Sequence, residues 1–303
     1  MESQVPLVSV GIPTFNRAER LRGAVESVLS QDYPEIEVVI CDNASTDGTE
    51  ELGRALAAAD ARVRYLRNEA NIGPTANFNR VRMASRGEYL LWLGDDDRLS
   101  PDYVSRCVAA LGADPSLALV AGLARYYEGD ELRYAGVQVT VRGADPAERV
   151  RSFLWQVRDN GTFYGVVPRR VVEAVRPMAN RMGNDWGLVV EVAACGGIRT
   201  LEEVEIRRSL GGSTRSLKHV ARTAGFSWIE GEFPQLAIAV SVADTCLRAP
   251  ALRPLGSRRA LLALQAGLIV LRRFLPEAAR KYLALTAGRV ASATGRTRGR
   301  TPT

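Results

Sequence analysis

The stretch that most constrains this chain is Leu90-Leu91-Trp92-Leu93-Gly94-Asp95-Asp96-Asp97, an apolar run that ends abruptly in three consecutive carboxylates. A run apolar at nearly every position reads as a strand buried on both faces, and such strands belong to parallel sheets covered by helices. Acids at the carboxyl end of that strand lie where an open α/β sheet gathers its ligands. Three adjacent negative charges repel one another, so the cluster is costly without a positive partner. Hard divalent cations such as Mg²⁺ or Mn²⁺ are the natural counter-charge, commonly shared with substrate phosphates. The competing reading is an exposed acidic turn, with Asp97 or Ser100 capping a helix that opens at Pro101.

The flanking pattern favours a site. Val8 to Ile12 alternates and stops at Pro13, as a first strand does. A helix follows with Leu21, Ala24, Val25, Val28 and Leu29 on one face and Asn16 as its expected N-cap. Val38 to Cys41 is a second buried strand ending at Asp42, and Asn43 to Thr49 is turn chemistry leading into a helix through Ala59. Val63 to Leu66 is a third strand, and a loop with Gly73 and Pro74 opens a helix to Ser85. Strands alternating with helices at this spacing imply a doubly wound, mainly parallel sheet. Right-handed crossovers then bring Pro13-Thr14, Asp42 and Asp95 to Asp97 to one edge.

Beyond the acids, the pattern predicts a helix from Pro101 to Leu111, a strand from Leu117 to Gly122 and short strands through Val141. Asp145-Pro146-Ala147-Glu148 reads as a helix start, running to Val157. Thr162 to Val167 reads as a strand, Arg169 to Val175 as a short helix and Ile198 to Ile206 as strands. Gly187 to Ala194 is apolar nearly all round, hence a buried helix. Ser209 to Ser216 is a flexible loop, Phe226 to Ala293 is helical in pattern, and the end is a basic tail expected to be disordered.

Charge is divided unevenly. From Ile206 onward, 17 Lys and Arg stand against four acids, while the whole chain of 303 residues carries +6. A basic C-terminal third suits phosphate or a membrane surface. No zinc spacing, RNP-like strand or helix-turn-helix supports nucleic acid as a partner. The four cysteines are far apart and read as small buried hydrophobes of a reducing compartment. The first residues leave no room for a signal sequence, so the cytoplasm is the expected compartment, with a peripheral place at the inner face of a membrane the alternative.

The segments Val8-Ser9-Val10-Gly11-Ile12-Pro13-Thr14-Phe15-Asn16-Arg17, Val39 to Thr49, Asn71-Ile72-Gly73 with Asn77, Gly94-Asp95-Asp96-Asp97 and Asn184-Asp185 come in an order and spacing that resembles the inverting glycosyltransferase family 2. The resemblance is dense from Val8 to Leu99, patchy to Arg208 and absent beyond. It implies a GT-A fold: a doubly wound, Rossmann-like mixed sheet with a helical C-terminal extension. The expected division is a catalytic domain over 1–222, with a nucleotide-sugar half to 99 and an acceptor half from 100, then helices over 223–293 and a tail over 294–303. The expected cofactor is a divalent metal, Mn or Mg. The expected partners are a UDP- or dTDP-sugar and a hydroxyl acceptor.

The roles below are those the resemblance implies. Asp42 would accept from the imide N–H of uracil or thymine. Pro13, Thr14, Phe15, Asn16 and Asn71 would line the nucleotide cleft, although core packing suits Phe15 equally. Asp96 would meet the ribose or a metal-bound water, and Asp97 and Asp95 would ligate the cation on the diphosphate. Asp185 would be the general base, the alternative being a helix cap. The family usually has Glu-Asp where this chain has Asn184-Asp185, which keeps the second acid. His219, the single histidine, would complete the metal shell or be merely structural. Arg207 and Arg208 would pair with the diphosphate or form a solvated strand end.

Arg258-Arg259 and Arg272-Arg273 flank the Ala260–Leu271 run, which suits a membrane interface. A dimer contact or packing on the catalytic domain is the plainer reading. The family's processive members carry Gln-x-x-Arg-Trp and spanning helices, and neither occurs here, which points to addition of a single hexose or deoxyhexose. The rivals are a nucleotidyltransferase, which lacks support because no Gly-rich, Arg-containing loop follows the first strand, and a sugar-nucleotide-binding protein without transferase activity.

Overall fold

The computed structural model describes residues 5–210 and 217–274, the side chains of Leu217 and His219 excepted. The first hundred residues lay down β1 (Val8–Thr14), α1 (Ala18–Leu29), β2 (Ile36–Asp42), α2 (Thr49–Ala59), β3 (Val63–Arg67), α3 (Pro74–Ala84) and β4 (Tyr89–Trp92). The strands are parallel, and every residue of β1 and β2 is buried, as continuous apolar runs between helical layers require. Helix α3 lies directly on the β1 backbone: a Cβ at Gly11 would sit 1.9 Å from Val81 Cγ1. Register pairs Thr14 with Asp42, and Leu93 N–H donates to Gly11 O (2.9 Å), so the ends of β1, β2 and β4 converge.

The rest of the chain supplies β5 (Arg98–Leu99), α4 (Tyr103–Ala113), β6 (Leu117–Glu128), β7 (Glu131–Ala135), β8 (Thr140–Val141) and α5 (Pro146–Gln156). It continues with β9 (Val167–Pro168), α6 (Arg169–Ala174), α7 (Asn184–Cys195), β10 (Gly197–Ser209), α8 (Leu217–Thr223), α9 (Trp228–Glu232) and α10 (Pro234–Arg248). A last helix, α11, covers residues 258–274. One sheet has the order β3-β2-β1-β4-β9, with β9 antiparallel at its edge, and a second has the order β5-β10-β6-β7. The β10–β6 pair is parallel and runs to Ser209 beside Tyr127. Strand β10 also pairs with β5, Arg207 opposite Arg98, directly after the acidic triplet. One core cluster runs from Val8 to Val270.

Several local expectations change. Gly161–Tyr164 is a 3-10 turn rather than part of a strand over 162–167: Gly161 N–H donates to Asp159 Oδ1 (2.7 Å), and Ala124 packs where a Cβ would stand. All four residues of the turn are buried, which is why the stretch reads as a strand. Helix α4 begins at Tyr103 with Asp102 before it, so neither Asp97 nor Ser100 is its cap. Ser100 instead accepts from Glu205 N–H (3.1 Å). Asn16 does not cap α1, whose N-cap is Arg17 without a side-chain bond. The helical stretch expected from Phe226 is interrupted at Phe233 and again over Pro250–Leu255, where prolines stand, and residues 275–293 lie outside the described residues.

Candidate active site

The loops after β1 and β2 are tied together by side chains. Asn16, at φ 53°, accepts from Thr46 N–H on Oδ1 (2.8 Å), and its own N–H donates to Ser45 Oγ (2.9 Å). Asparagine suits this because it tolerates the left-handed region better than other non-glycine residues. A second set joins four asparagines. Asn68 donates to Asn43 (2.9 Å) and Asn77 (3.1 Å), Asn43 donates to Asn71 (2.8 Å), and Asn77 donates to Cys41 O (2.7 Å). Asn71 Oδ1 also takes Gly73 N–H (2.9 Å). Asn16 and Asn71 therefore spend their carbonyl oxygens on the loops and not on open space.

Asp42 is fully buried, and both its oxygens are engaged. Oδ1 accepts from Ser45 N–H (2.9 Å) and Ser45 Oγ (2.5 Å), and Oδ2 from the Tyr65 hydroxyl (2.5 Å). Burial of the ring, with the hydrogen bond to Asp42 adding to it, holds the Tyr65 phenol well above its ordinary pKa. Pro13 is buried within the strand, whereas Phe15 is 39% exposed just past its end. The core-packing alternative for Phe15 is thereby set aside.

The acidic triplet divides its partners. Asp95 Oδ2 accepts from Thr14 Oγ1 (2.7 Å); burial, with Asp96 adding to it, pushes the Asp95 pKa up to about 7. Asp96 meets Arg20 at 3.1 Å and Arg17 at 4.0 Å. Asp97, 1% exposed, meets Arg208 Nε at 3.2 Å and accepts from Ser209 N–H (3.3 Å). Burial still raises its pKa, against the pull of Arg208. Arg208 reaches further: Nη2 donates to the Tyr164 hydroxyl (2.9 Å), and the guanidinium lies 4.2 Å from that ring's centre and 5.6 Å from Tyr126's. Its neighbour Arg207 points outward to Asp130 and Gly129 O.

Asp185 stands in the first turn of α7, after Gly183 in the left-handed region at φ 77°. A Cβ at Gly183 would approach Ile238 of α10 to 3.0 Å, so both the backbone angle and the packing call for glycine. Asp185 Oδ1 accepts from Trp186 N–H (2.7 Å) and Oδ2 from Asn160 Nδ2 (2.6 Å), while Asn184 donates to Thr75 Oγ1 (2.9 Å). Burial raises the Asp185 pKa. The carboxylate opens into a cavity of about 370 Å³ walled largely by apolar side chains, among them Phe78, Phe163, Met182, Phe226 and Ile238. Arg208 and Tyr164 line the same cavity. Asp96 instead faces a second cavity, of about 380 Å³, with Arg20, Arg98 and Arg207.

Thr14 with Asp95 and the paired ends of β1 and β2 gather at one edge, and Arg208 links Asp97 to the Asp185 cavity. Asp96 faces the other cavity, Asn71 serves the loop network, and the His219 side chain lies outside the described residues, although its backbone belongs to α8. Sequence reasoning did not single out Asn160 or Tyr164, and it weighed Arg208 equally with Arg207. The available signal was register: in strand β10 the two arginines point to opposite faces.

A family model for glycosyl transferase family 2 matches residues 9–176, more than half of the chain and all of the first sheet but Val8. The chain belongs to this family. Among curated relatives, the GalNAc(5)-diNAcBac-PP-undecaprenol beta-1,3-glucosyltransferase of Campylobacter jejuni is 35% identical over 96 residues, 31% of each chain. The succinoglycan biosynthesis protein ExoO of Rhizobium meliloti is 30% identical over 202 residues, 64% of this chain and 58% of that one. The chain thus spans less than two thirds of either relative. The mannosyltransferase PcManGT of Pyrobaculum calidifontis, solved with GDP-Man and Mn²⁺, superposes over 97% of this chain and 83% of its own with a TM-score of 0.54 at 19% identity. TarS residues 1–349 of S. aureus with UDP-GlcNAc superposes over 91% and 92% with a TM-score of 0.55 at 16% identity. These two likenesses show the GT-A fold.

Proposed function

We propose that this family 2 glycosyltransferase moves one sugar from a UDP- or dTDP-linked donor to an acceptor hydroxyl, with inversion, as a step in building a glycan. The observation that carries the reading is Arg208: one guanidinium touches Asp97 of the acidic triplet and lines the cavity into which Asp185 opens. A site that must neutralise a leaving diphosphate and deprotonate a nucleophile nearby needs both ends in one place.

The acidic triplet fits a divalent cation shared with substrate. Among the described residues Asp95 has a hydroxyl donor and no cation within salt-bridge distance, and burial with Asp96 beside it raises its pKa, so an added positive charge there would favour the carboxylate. No cluster of three or more His, Cys, Asp or Glu side chains suited to a metal occurs among the described residues. Asp95 and Asp97 are the side chains that would hold the ion beside a bound diphosphate. When bound, the cation supplies positive charge for the departing diphosphate.

The chain's own residues account for the rest. Trp186 N–H and Asn160 fix the Asp185 carboxylate, and a raised pKa makes the ionised form a better base toward an acceptor hydroxyl. The attacking oxygen would lose its proton to Asp185 as it bonds the anomeric carbon opposite the nucleotide. Arg208, with Arg17 and Arg20, favours negative charge on the leaving group. Phe15 gives the nucleobase an exposed ring, and the base's imide N–H would reach Asp42 in exchange for the Tyr65 hydroxyl. Residues 1–222 would carry the reacting groups, with Phe226 and Ile238 beyond them walling the Asp185 cavity.

Asp185→Asn keeps the shape and removes the base, so turnover should fall by roughly 10²–10⁴-fold with donor affinity retained. Asp97→Asn should instead weaken Mn²⁺-dependent donor binding. Calorimetric donor titration with and without Mn²⁺, beside a UDP-release assay, separates the two. Full turnover in Asp185→Asn would refute the base assignment. Donor binding without any UDP release, over a broad set of acceptors, would favour a sugar-nucleotide-binding protein.

A further inference from the structure

The α10–α11 pair carries two apolar faces, and among the described residues one of them is buried while the other is exposed. On α10, Ala239, Val242 and Cys246 are buried; on α11, Leu262, Ala266, Ile269 and Val270 are. The helices meet at Gly267, where a Cβ would lie 3.5 Å from Ala239 O and 3.7 Å from Ala243 Cβ. With 3.6 residues per turn, Leu236, Val240 and Leu247 fall on the outer side of that line on α10. Leu261, Leu264 and Leu268 fall on the outer side on α11. These six side chains are 46–61% exposed, and Phe233 and Trp228 extend the surface toward α9. A solvated helix carries polar side chains in such positions, and monomeric proteins rarely leave so continuous an apolar surface bare.

The charge around this surface has one sign. Arg253, Arg258 and Arg272 are exposed along these helices or the turn between them. From residue 248 to the end, twelve Lys and Arg stand against one acid, Glu277. The acids of α9 and α10 are already engaged: Glu230 by Ser227 and Met182 N–H, Glu232 by Lys218, Asp244 by Arg181 and Arg248. A second copy would bring arginine against arginine. An anionic bilayer offers the complementary charge and an apolar interior together.

We propose that the outer face of α10 and α11 docks on an anionic lipid bilayer, its leucines in the acyl boundary and its arginines among the headgroups. The contact is peripheral, since no helix among the described residues is long and apolar enough to cross a membrane. Ile238 of α10 lines the Asp185 cavity, so docking brings that cavity close to the bilayer, where an amphiphilic acceptor would be presented. That consequence rests on the transfer reading; the docking does not.

Flotation of the full chain with vesicles tests it. Vesicles of phosphatidylcholine containing phosphatidylglycerol should carry the protein upward, phosphatidylcholine alone at least about tenfold less, and high salt should release it. The triple substitution L261Q/L264Q/L268Q should lower partition by more than about tenfold while leaving the melting temperature and UDP release unchanged. No flotation of the parent, or equal flotation of parent and triple variant, overturns the proposal. A dimer in sedimentation equilibrium that the triple variant abolishes also overturns it and assigns the face to a second copy. Flotation needs no turnover, so a protein that floats as expected yet transfers nothing would refute the transfer reading alone.

Discussion

The two ends of the site are built from different materials. At the nucleotide end, the loops after β1, β2 and β3 are held by neutral hydrogen bonds, Asn16 to Ser45 and Thr46 and Asn43, Asn68, Asn71 and Asn77 to one another, and the buried carboxylate Asp42 has its acceptors filled. At the reacting end, where diphosphate and acceptor would meet, Asp97, Arg208 and Asp185 are ionisable groups held out of water, and Asp185 faces an apolar cavity. A neutral network gives up little when water is excluded and keeps its shape without substrate. Buried charges hold their shape less cheaply, and each depends on its partner being present. The chain therefore has a rigid frame for the part of the donor that does not react and a polarised region for the part that does.

The contrast can be broken most forcefully at Arg208. Arg208→Gln leaves Asp97 buried without its cation, and unfolding free energy should drop by about 3–5 kcal/mol in urea denaturation. A loss within the range of an ordinary surface change would show that the pair is not electrostatically strained. Asn68→Ala tests the other end: it frees the amide oxygens of Asn43 and Asn77 from a shared donor, for an expected cost of about 1–3 kcal/mol. That variant should weaken donor binding with little change in kcat.

Asn160→Ala acts on the pH profile. Hydrogen bonds to an ionised carboxylate favour that form, so losing the Asn160 donor should raise the Asp185 pKa further above its ordinary value. A base must be ionised to work, hence the acid limb of kcat should move to higher pH, and a limb that stays put would remove Asn160 from the mechanism. The smallest effect is expected at Arg207→Gln, next along the strand from Arg208 but with its side chain 32% exposed and paired with the fully exposed Asp130. Its stability change should stay within about 0.5 kcal/mol.

The alternation of strands and amphipathic helices was legible from residues alone through β4, because each strand there is a short alternating or mostly apolar run set off by turn residues. The Gly161–Tyr164 turn was not, since a buried 3-10 segment and a buried strand show the same apolar composition. The same holds for the extent of β6 and β10, which pair along their lengths far outside any local window.

By itself, the order of residues determined the parallel first sheet, the edge at which Thr14, Asp42 and the three aspartates meet, and the glycosyltransferase family. The first two follow from local periodicity and from crossover handedness, which act over a few tens of residues, and the family follows from the motifs this chain shares with it. Tertiary structure alone decided that Arg208 faces inward and Arg207 outward, that Asn71 braces a loop, and that Asp185 opens into an apolar cavity. Each of those depends on which strand lies beside β10 and which helix packs over α7. Charge pairing between residues a hundred positions apart leaves no trace in local pattern, because its energy exists only once the chain has closed around it.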